Sequence, residues 1–424
     1  MNDLATGIKE LNCGIEIGDF MLAKLLYADD IVLLVPDEES LQKMLDFIKE
    51  WCHKWRMSIN NDKTQVVHFR QPKKSKSDFD FTFGNSSLET VPVYKYLGVM
   101  FDEYLTFDIN ATVLAGAATR ALGAIRSKFK DLKQCGFKTF NTLFNSGVLT
   151  ISDYSAAIWA TKCFPKIEQV SYKAARYFLG VHRFAPVDAL LGDMGWLSAR
   201  NRHKLLILNF WNRLCDLPNS RLTRKVFDWD RKFSNIRGTW AYAVKQILID
   251  INCRDLFDDA SPCNTDLAKN VIENLDDHEW DYNRYNSVKL RYYNLYKYEK
   301  GPEDYLLLDV SKYQRSIFSQ FRYGILPLQI EVGRYRDVPL ANRTCQICNQ
   351  EVEDEIHFLL VCNKYSEQRN ILFDKAMESD EFFYFKDEIE QFVFLVSNLQ
   401  KAVMKFLTSA LAIRTSILNK IIEN

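Results

Sequence analysis

Two adjacent carboxylates, Asp29 and Asp30, lie inside an otherwise apolar run over residues 25–34. Acidic side chains in such a setting need a partner or a metal, because an unpaired charge is costly to remove from water. Short apolar segments flank the pair, which predicts a tight β-hairpin with both carboxylates at its tip. A plain β-turn is the alternative, since Asp favours turns through local hydrogen bonding. The pair is therefore a candidate site.

Four metal-binding side chains lie within 18 residues further along the chain. They are Cys345, Cys348, His357 and Cys362. A two-residue gap lets two thiolates hold one ion from a single turn, and zinc favours four such ligands in a tetrahedron. We expect the last two ligands to lie on or beside a helix over 354–360. The spacing predicts a structural zinc site with no position left for water, and chance spacing is the alternative.

The segments around the carboxylate pair predict an α+β arrangement. Asp37 is a candidate N-cap for an amphipathic helix that continues to residue 55. Residues 65–69 have the composition of a strand. Two more strand-like runs, over 79–83 and 91–100, predict a further hairpin. These elements would hold the carboxylates at one edge of a small domain.

Three motifs follow one another in the first hundred residues. They are Tyr27-Ala28-Asp29-Asp30, then Ser58-Ile59-Asn60 with Lys63-Thr64, then Tyr94-Lys95-Tyr96-Leu97-Gly98-Val99. Together they resemble the later palm motifs of LINE-type (non-LTR) reverse transcriptases, and three motifs in this order are far more specific than any one of them. Independently, the segment from residue 321 through the cysteines resembles the carboxy-terminal zinc-binding region of the same proteins.

The resemblance implies roles for particular residues in nucleotide addition, which is phosphoryl transfer assisted by two magnesium ions. Asp29 would be a ligand of catalytic Mg²⁺, as suits a hard oxygen donor, and Asp30 would support the site. Lys63 would protonate the pyrophosphate leaving group. Tyr96, Leu97 and Gly98 would form the primer grip, which holds the end of the growing strand. The implied cofactors are catalytic Mg²⁺ and structural Zn²⁺.

The formal net charge of zero conceals a strong asymmetry. Residues 111–250 hold 22 Lys and Arg against 9 Asp and Glu, a net of +13, whereas residues 251–310 hold 7 against 13, a net of −6. A basic block of this kind indicates a phosphate-backbone partner, with a solvated helical surface as the alternative. The partners implied are RNA and DNA as a primer–template duplex. The candidate contact residues are Arg120, Arg126, Lys128, Lys130, Lys173, Arg176, Arg322 and Arg334.

Composition and resemblance together divide the chain into five parts. These are a partial palm over 1–108, a basic thumb-like helical region over 109–250, a helical connector over 251–340, a zinc-binding module over 341–366 and carboxy-terminal helices over 367–424. Residues 255–279 are acidic and weakly patterned, which favours a flexible connection. Alternating aromatic and basic residues over 282–298 fit either base stacking or a packed helix face.

The chain has the composition of a globular protein, with 47% hydrophobic residues. It begins without the basic and apolar regions of a secretory signal, and no apolar run approaches the length of a membrane span. The ten cysteines are mostly scattered singly, which favours a reducing compartment. We therefore expect a nuclear or cytoplasmic protein with no membrane partner, and the oligomeric state stays open.

The resemblance also implies an earlier palm aspartate and the fingers, both upstream of the Tyr-Ala-Asp-Asp motif. Only 28 residues precede Asp29, and Asp3 and Asp19 among them do not fit an earlier strand. We therefore expect a reverse transcriptase fragment, the carboxy-terminal portion, that does not polymerise DNA alone. One alternative is a non-catalytic nucleic-acid-binding zinc protein derived from such an element. Another is an inert pseudogene product whose unpaired sheet edges make it fold poorly.

Overall fold

The computed structural model describes residues 2–131 and 135–423, without the side chains of 130, 131 and 421–423. These residues form two compact units, each built from discontinuous segments. The first unit contains Met1–Val113, Ser155–Phe164 and Leu206–Thr265. The second unit contains Leu114–Tyr154, Pro165–Leu205 and Asp266–Asn424.

Helices supply most of the regular structure in the described residues. They are α1 Asn2–Glu10, α2 Glu38–Trp55, α3 Asp108–Asp131, α4 Phe137–Phe144, α5 Thr150–Ser152, α6 Ala156–Trp159, α7 Pro165–Leu179, α8 Val187–Met194, α9 Ala199–Cys215, α10 Leu222–Arg231, α11 Trp240–Asp250, α12 Arg254–Asp258, α13 Thr265–Tyr285, α14 Lys312–Arg322, α15 Gln329–Tyr335, α16 Ser366–Ser379, α17 Glu388–Asn398 and α18 Gln400–Glu423. The predicted α+β class is confirmed, because small antiparallel strand pairs accompany these helices. Within 2–131 and 135–423, no helix has both the length and the apolar composition that a bilayer crossing requires.

The strands all lie in the first unit and pair as antiparallel hairpins. They are β1 Ile15–Ile17, β2 Phe20–Leu22, β3 Lys24–Tyr27, β4 Asp30–Leu33, β5 Thr82–Phe83, β6 Ser86–Ser87, β7 Val93–Tyr96 and β8 Val99–Asp102. Consecutive strands pair two by two, so β5–β6 and β7–β8 replace the single hairpin predicted over 79–100. The strand predicted over 65–69 is wrong, because only Val66 forms a bridge there, in parallel with Thr90.

Helix α2 confirms the predicted amphipathic helix and its cap. The Asp37 side chain accepts a hydrogen bond from the Ser40 backbone nitrogen at 2.8 Å, which satisfies one unpaired donor of the first turn. Met44, Ile48 and Cys52 on α2 pack with residues of α1 and the segment before β3 in one hydrophobic cluster. This cluster supports the hairpin that carries the carboxylate pair.

The second unit is helical, and α18 packs against α14, α16 and α17. The acidic segment over 255–279, expected to be flexible, is instead mostly helical, in α12 and α13. The reason is a buried face that the weak pattern concealed: Ala268, Ile272 and Trp280 of α13 are buried. Gly180 follows α7 in the left-handed conformation (φ 71°), as a helix C-terminus favours.

Candidate functional site

The carboxylate pair lies at the tip of a two-residue hairpin, as predicted. Tyr27 of β3 pairs with Asp30 of β4, which leaves Ala28 and Asp29 as the turn. Ala28 has φ 53°, a left-handed conformation that is unfavourable for a residue with a Cβ atom. Asp29 and Asp30 are both exposed, and Tyr27 beside them is 62% exposed. Both carboxylates are therefore accessible to an ion and to a large substrate.

A second two-residue hairpin carries the predicted primer-grip residues. Tyr96 of β7 pairs with Val99 of β8 across Leu97 and Gly98. Both turn residues have positive φ, 45° and 86°, which matches the right-handed twist of a hairpin and favours glycine at the second position. Burial and the negative charge of Asp30 raise the pKa of Tyr96. The two hairpin tips are therefore electrostatic neighbours.

Lys63 ends a short 3₁₀ turn, Asn61–Lys63, and its backbone nitrogen donates to the Asn60 side chain, which caps the turn. The Tyr94 hydroxyl of β7 donates to the Lys63 carbonyl oxygen at 3.2 Å. This contact ties the second sequence motif to the third. The second and third motifs identified in the sequence are therefore joined through β7, although Lys63 and Tyr94 are 31 positions apart.

The carboxylate pair fits a magnesium ion by its chemistry. Mg²⁺ in proteins is held by one or two carboxylates and takes its other ligands from water and substrate phosphates. Within 2–131 and 135–423, the metal-binding groups that form a cluster of three or more are Cys345, Cys348, His357 and Cys362. In that part of the chain, no third His, Cys or acidic side chain joins Asp29 and Asp30.

The four predicted zinc ligands lie together. Their ligand atoms are all within 4.8 Å of one another, and Cys348 Sγ lies 3.4 Å from His357 Nε2. Cys345, His357 and Cys362 are 0%, 3% and 1% exposed, while Cys348 is half-buried. Four soft or borderline donors at this mutual spacing, largely shielded from water, fit a tetrahedral zinc ion.

Local hydrogen bonds hold these ligands in place. The Cys345 backbone nitrogen donates to the Glu351 carbonyl oxygen at 2.7 Å, and the Asn349 nitrogen donates to the Cys345 carbonyl oxygen at 2.8 Å. The Asp354 side chain accepts from the His357 backbone nitrogen at 2.8 Å at the start of a helical turn. Glu351 Oε2 lies 3.3 Å from His357 Nδ1, which directs the opposite ring nitrogen towards the cysteines.

The segment that contains the carboxylate hairpin is similar to known proteins. Residues 1–101 match the sequence model of the family described as reverse transcriptase (RNA-dependent DNA polymerase). The chain is also 36% identical over 107 residues to the RNA-directed DNA polymerase from mobile element jockey of Drosophila funebris. The matched segment is thus similar to the reverse transcriptases of LINE-type elements. This segment includes both hairpin tips and Lys63.

A more distant relative extends the similarity beyond this reverse transcriptase segment. The chain is 22% identical over 236 residues, 49% of its length, to the probable RNA-directed DNA polymerase from transposon X-element of Drosophila melanogaster. A putative transposon-derived protein of Caenorhabditis elegans is 27% identical over 138 residues, 32% of this chain. The aligned regions cover 11%, 25% and 49% of the jockey, X-element and nematode proteins.

Four of the eight predicted nucleic-acid-binding cations are exposed. The exposed ones are Arg120, Arg126, Lys128 and Lys173. Arg176 is half-buried, with its guanidinium 6.0 Å from the Tyr172 ring centroid. Arg334 is also half-buried and pairs with Glu331 at 3.1 Å. The Lys130 side chain lies outside the described residues.

Arg322 requires a correction. Its side chain is 1% exposed, and its Nη2 atom lies 3.0 Å from Asp193 Oδ1 and 2.7 Å from Glu303 Oε2. A guanidinium enclosed in this way does not reach a phosphate backbone. The prediction that Arg322 contacts nucleic acid is therefore wrong. The sequence did not reveal that Arg322 pairs with the buried Asp193, which is distant in the chain.

Sequence reasoning missed this buried network around Asp193. The carboxylate accepts hydrogen bonds from the hydroxyls of Tyr293 (2.8 Å), Tyr305 (2.8 Å) and Tyr323 (2.9 Å). The sequence left two interpretations of the aromatic segment over 282–298, base stacking and packing against the protein. Tyr293 is fully buried and therefore packs against the protein. The sequence feature that could have revealed this network is the high frequency of tyrosines in this part of the chain. A buried tyrosine hydroxyl needs a hydrogen-bond partner.

Proposed function

We propose that this chain supplies the metal-binding hairpin and the primer-side surface of an RNA-directed DNA polymerase of a LINE-type element. The observation that carries the proposal is the exposed Asp29–Asp30 hairpin tip, which lies within the segment similar to reverse transcriptases. Magnesium bound there would stabilise the attacking and leaving oxygens of nucleotide transfer. Asp29 is the proposed ligand, and Asp30 supports the site.

The neighbouring residues take the remaining proposed roles. The β7–β8 turn at Leu97 and Gly98 presents an exposed tip, and we propose that it holds the primer end next to the carboxylates. Lys63, held on its turn by Tyr94, is the proposed proton donor to the leaving pyrophosphate. Since no third carboxylate joins the pair in the described residues, we expect the purified chain to bind a divalent ion without extending a primer.

Metal binding and primer extension test this assignment. Mn²⁺, which reports on Mg²⁺ sites by electron paramagnetic resonance, should bind the chain in the presence of an RNA-template–DNA-primer duplex. Asp29→Asn should weaken this binding roughly tenfold by removing one charged ligand, whereas Asp19→Asn, in the exposed β1–β2 turn, should not. Equal binding by Asp29→Asn would exclude Asp29 as a ligand. Robust Mg²⁺-dependent extension by the wild-type chain would contradict the expectation that a further carboxylate is needed.

We also propose a structural zinc ion on Cys345, Cys348, His357 and Cys362. The mutual distances and the orientation of His357 by Glu351 support it. Protein expressed with zinc should contain about one equivalent by mass spectrometry of the metal, since the four ligands describe one tetrahedral site. A chain that purifies folded and metal-free would argue against this site.

The second candidate function is a nucleic-acid-binding zinc protein without catalysis. The exposed cations Lys128 and Lys173 support a role for the basic region over 109–250 in binding a primer–template duplex. Gel-shift titration at several salt concentrations should give a falling affinity, with a smaller slope after Lys173→Gln if that side chain meets a phosphate. Asp29→Asn should leave this affinity unchanged. No binding at low salt would exclude both functions. We propose the nucleus or cytosol for such a protein, since most of its ten cysteines are scattered singly along the sequence.

A further inference from the structure

A pocket of about 980 Å³ lies in the second unit, and its lining contains no residue of the carboxylate hairpin or of the cysteine cluster. Its walls come from the later part of α3, the start of α4, the middle of α7 and the segment leading into α14. A volume of this order accommodates a small organic ligand. Of the residues given a role above, its lining contains Arg126, a candidate nucleic-acid contact, and no role has been given to the pocket itself.

Two cations meet at Tyr177 on one side of this pocket, and a third lies at the neighbouring Phe178. The Arg126 guanidinium lies 4.7 Å from the Tyr177 ring centroid, and Lys312 Nζ lies 4.4 Å from it. Arg315 also lines the pocket and is 8% exposed, with its Nε donating to the Phe178 carbonyl oxygen at 3.0 Å. The first turn of α14, which carries Lys312, adds the positive end of a helix dipole.

Among the side chains that the structure describes, no carboxylate pairs with these cations. In the part of the chain that the structure describes, Arg126, Lys312 and Arg315 form no ion pair, and the exposed Asp309 at the pocket is paired with none of them. Burial, then the charges of Arg315 and Arg126, lower the pKa of Lys312. A largely buried arginine beside two further cations is costly without an anion, so the pocket favours an anionic ligand.

The pocket lining also includes apolar side chains, beside the polar residues Ser127 and Thr139. Phe129, Phe137 and Leu306 contribute to its lining, and they offer a surface for a flat aromatic group. An anion at one side and an aromatic group at the other describe a nucleotide. We propose that this pocket binds a nucleoside phosphate, with the phosphate between Arg126, Lys312 and Arg315 and the base on the apolar wall. The choice of nucleotide over other aromatic anions rests on the nucleic-acid function proposed above.

Cys135 provides a reporter for this pocket, because it is half-buried and lines it. The rate of its alkylation in the full chain can be followed by peptide mass spectrometry, with the exposed Cys163 of the first unit as internal reference. Adenosine monophosphate should slow alkylation of Cys135 and leave Cys163 unchanged. Adenosine and inorganic phosphate at equal concentration should protect much less. Protection by a short single-stranded oligonucleotide but not by the free nucleotide would identify the strand as the source of the ligand.

Variants separate the pocket from general charge effects. Lys312→Gln and Arg126→Gln should each weaken nucleotide protection roughly tenfold, the loss expected for one hydrogen bond to a charged group. Both side chains are exposed, so folding should be retained, which circular dichroism checks. Lys405→Gln, an exposed lysine on α18, is the matched control and should behave as wild type.

Two results would overturn the proposal. The first is Cys135 alkylation that neither nucleotide nor oligonucleotide slows. The second is protection that inorganic phosphate matches, or that both pocket variants retain. A chain that binds duplex in gel shifts while Cys135 alkylation stays unchanged would exclude the pocket and leave the proposed nucleic-acid function intact.

Discussion

The buried ion pair between Arg322 and Asp193 gives the sharpest prediction about this chain. Arg322→Met removes the guanidinium bonds to Asp193 and Glu303 and leaves the Asp193 carboxylate at 0% exposure. Breaking a buried pair by removing one partner costs about 3–5 kcal/mol. Three tyrosine hydroxyls still donate to Asp193 in the variant. We therefore expect the free energy of unfolding to fall by about 3 kcal/mol, the lower end of that range.

Urea denaturation followed by tryptophan fluorescence would measure this loss. A loss of about 3 kcal/mol corresponds to a fall in Tm of roughly 6–12 °C for a unit of this size. Arg334→Met is the matched control, because its pair with Glu331 is partly exposed and should contribute less than about 1 kcal/mol. The double variant Asp193→Asn/Arg322→Met should be more stable than the sum of the single losses predicts, since it leaves no unpaired charge.

The same network predicts an acid limit of stability. Burial alone would raise the pKa of Asp193. The positive charges of Arg322 and Lys297, together with the hydrogen bonds donated to the carboxylate, outweigh burial and hold this pKa below its usual 3.8. The folded pKa is therefore lower than the unfolded one, so the stabilisation is present above about pH 4 and is lost as the pH falls through the folded value. Arg322→Met should move this acid transition to higher pH.

Two results would refute the reasoning about Arg322. One is stability of Arg322→Met within about 1 kcal/mol of wild type, well below the cost of an unpaired buried charge. The other is unchanged stability together with a reduced slope in the salt dependence of nucleic-acid binding. The latter would restore the role predicted from sequence, in which this arginine meets a phosphate.

Three further predictions concern the zinc cluster and the hairpin tip. Removal of zinc by a chelator, or Cys348→Ser, should lower Tm, because metal binding contributes to folding free energy, and a melt insensitive to chelator would contradict this. Arg414→Gln should destabilise by about 3 kcal/mol in urea, since it leaves the buried Glu353 without the two 2.8 Å bonds that Arg414 donates, and the exposed Lys405→Gln should not. Ala28→Gly should be neutral or stabilising by up to about 1 kcal/mol, because glycine relieves the left-handed conformation, and a clear loss would show that Ala28 is not strained.

The features predicted correctly from sequence depend on short stretches of chain. The Asp29–Asp30 hairpin and the cap at Asp37 follow from neighbouring residue types, and the structure has both. The cysteine and histidine spacing predicted a cluster, because 18 residues give little freedom to place four ligands apart. The strand expected over 65–69 failed for the complementary reason: a strand needs a partner ladder, and composition does not supply one.

The sequence alone indicated the resemblance of residues 1–101 to reverse transcriptases, the carboxylate hairpin and the four candidate zinc ligands. Each of these features depends on residues that are close together in the chain. Tertiary structure decided which charges are buried and which are free. Arg322 and Asp193 are 129 positions apart in sequence, and only packing brings them together. Likewise, Arg126, Tyr177 and Lys312 come from three separate helices. The energy of a charge depends on its surroundings, and distant segments supply those surroundings once the chain has folded.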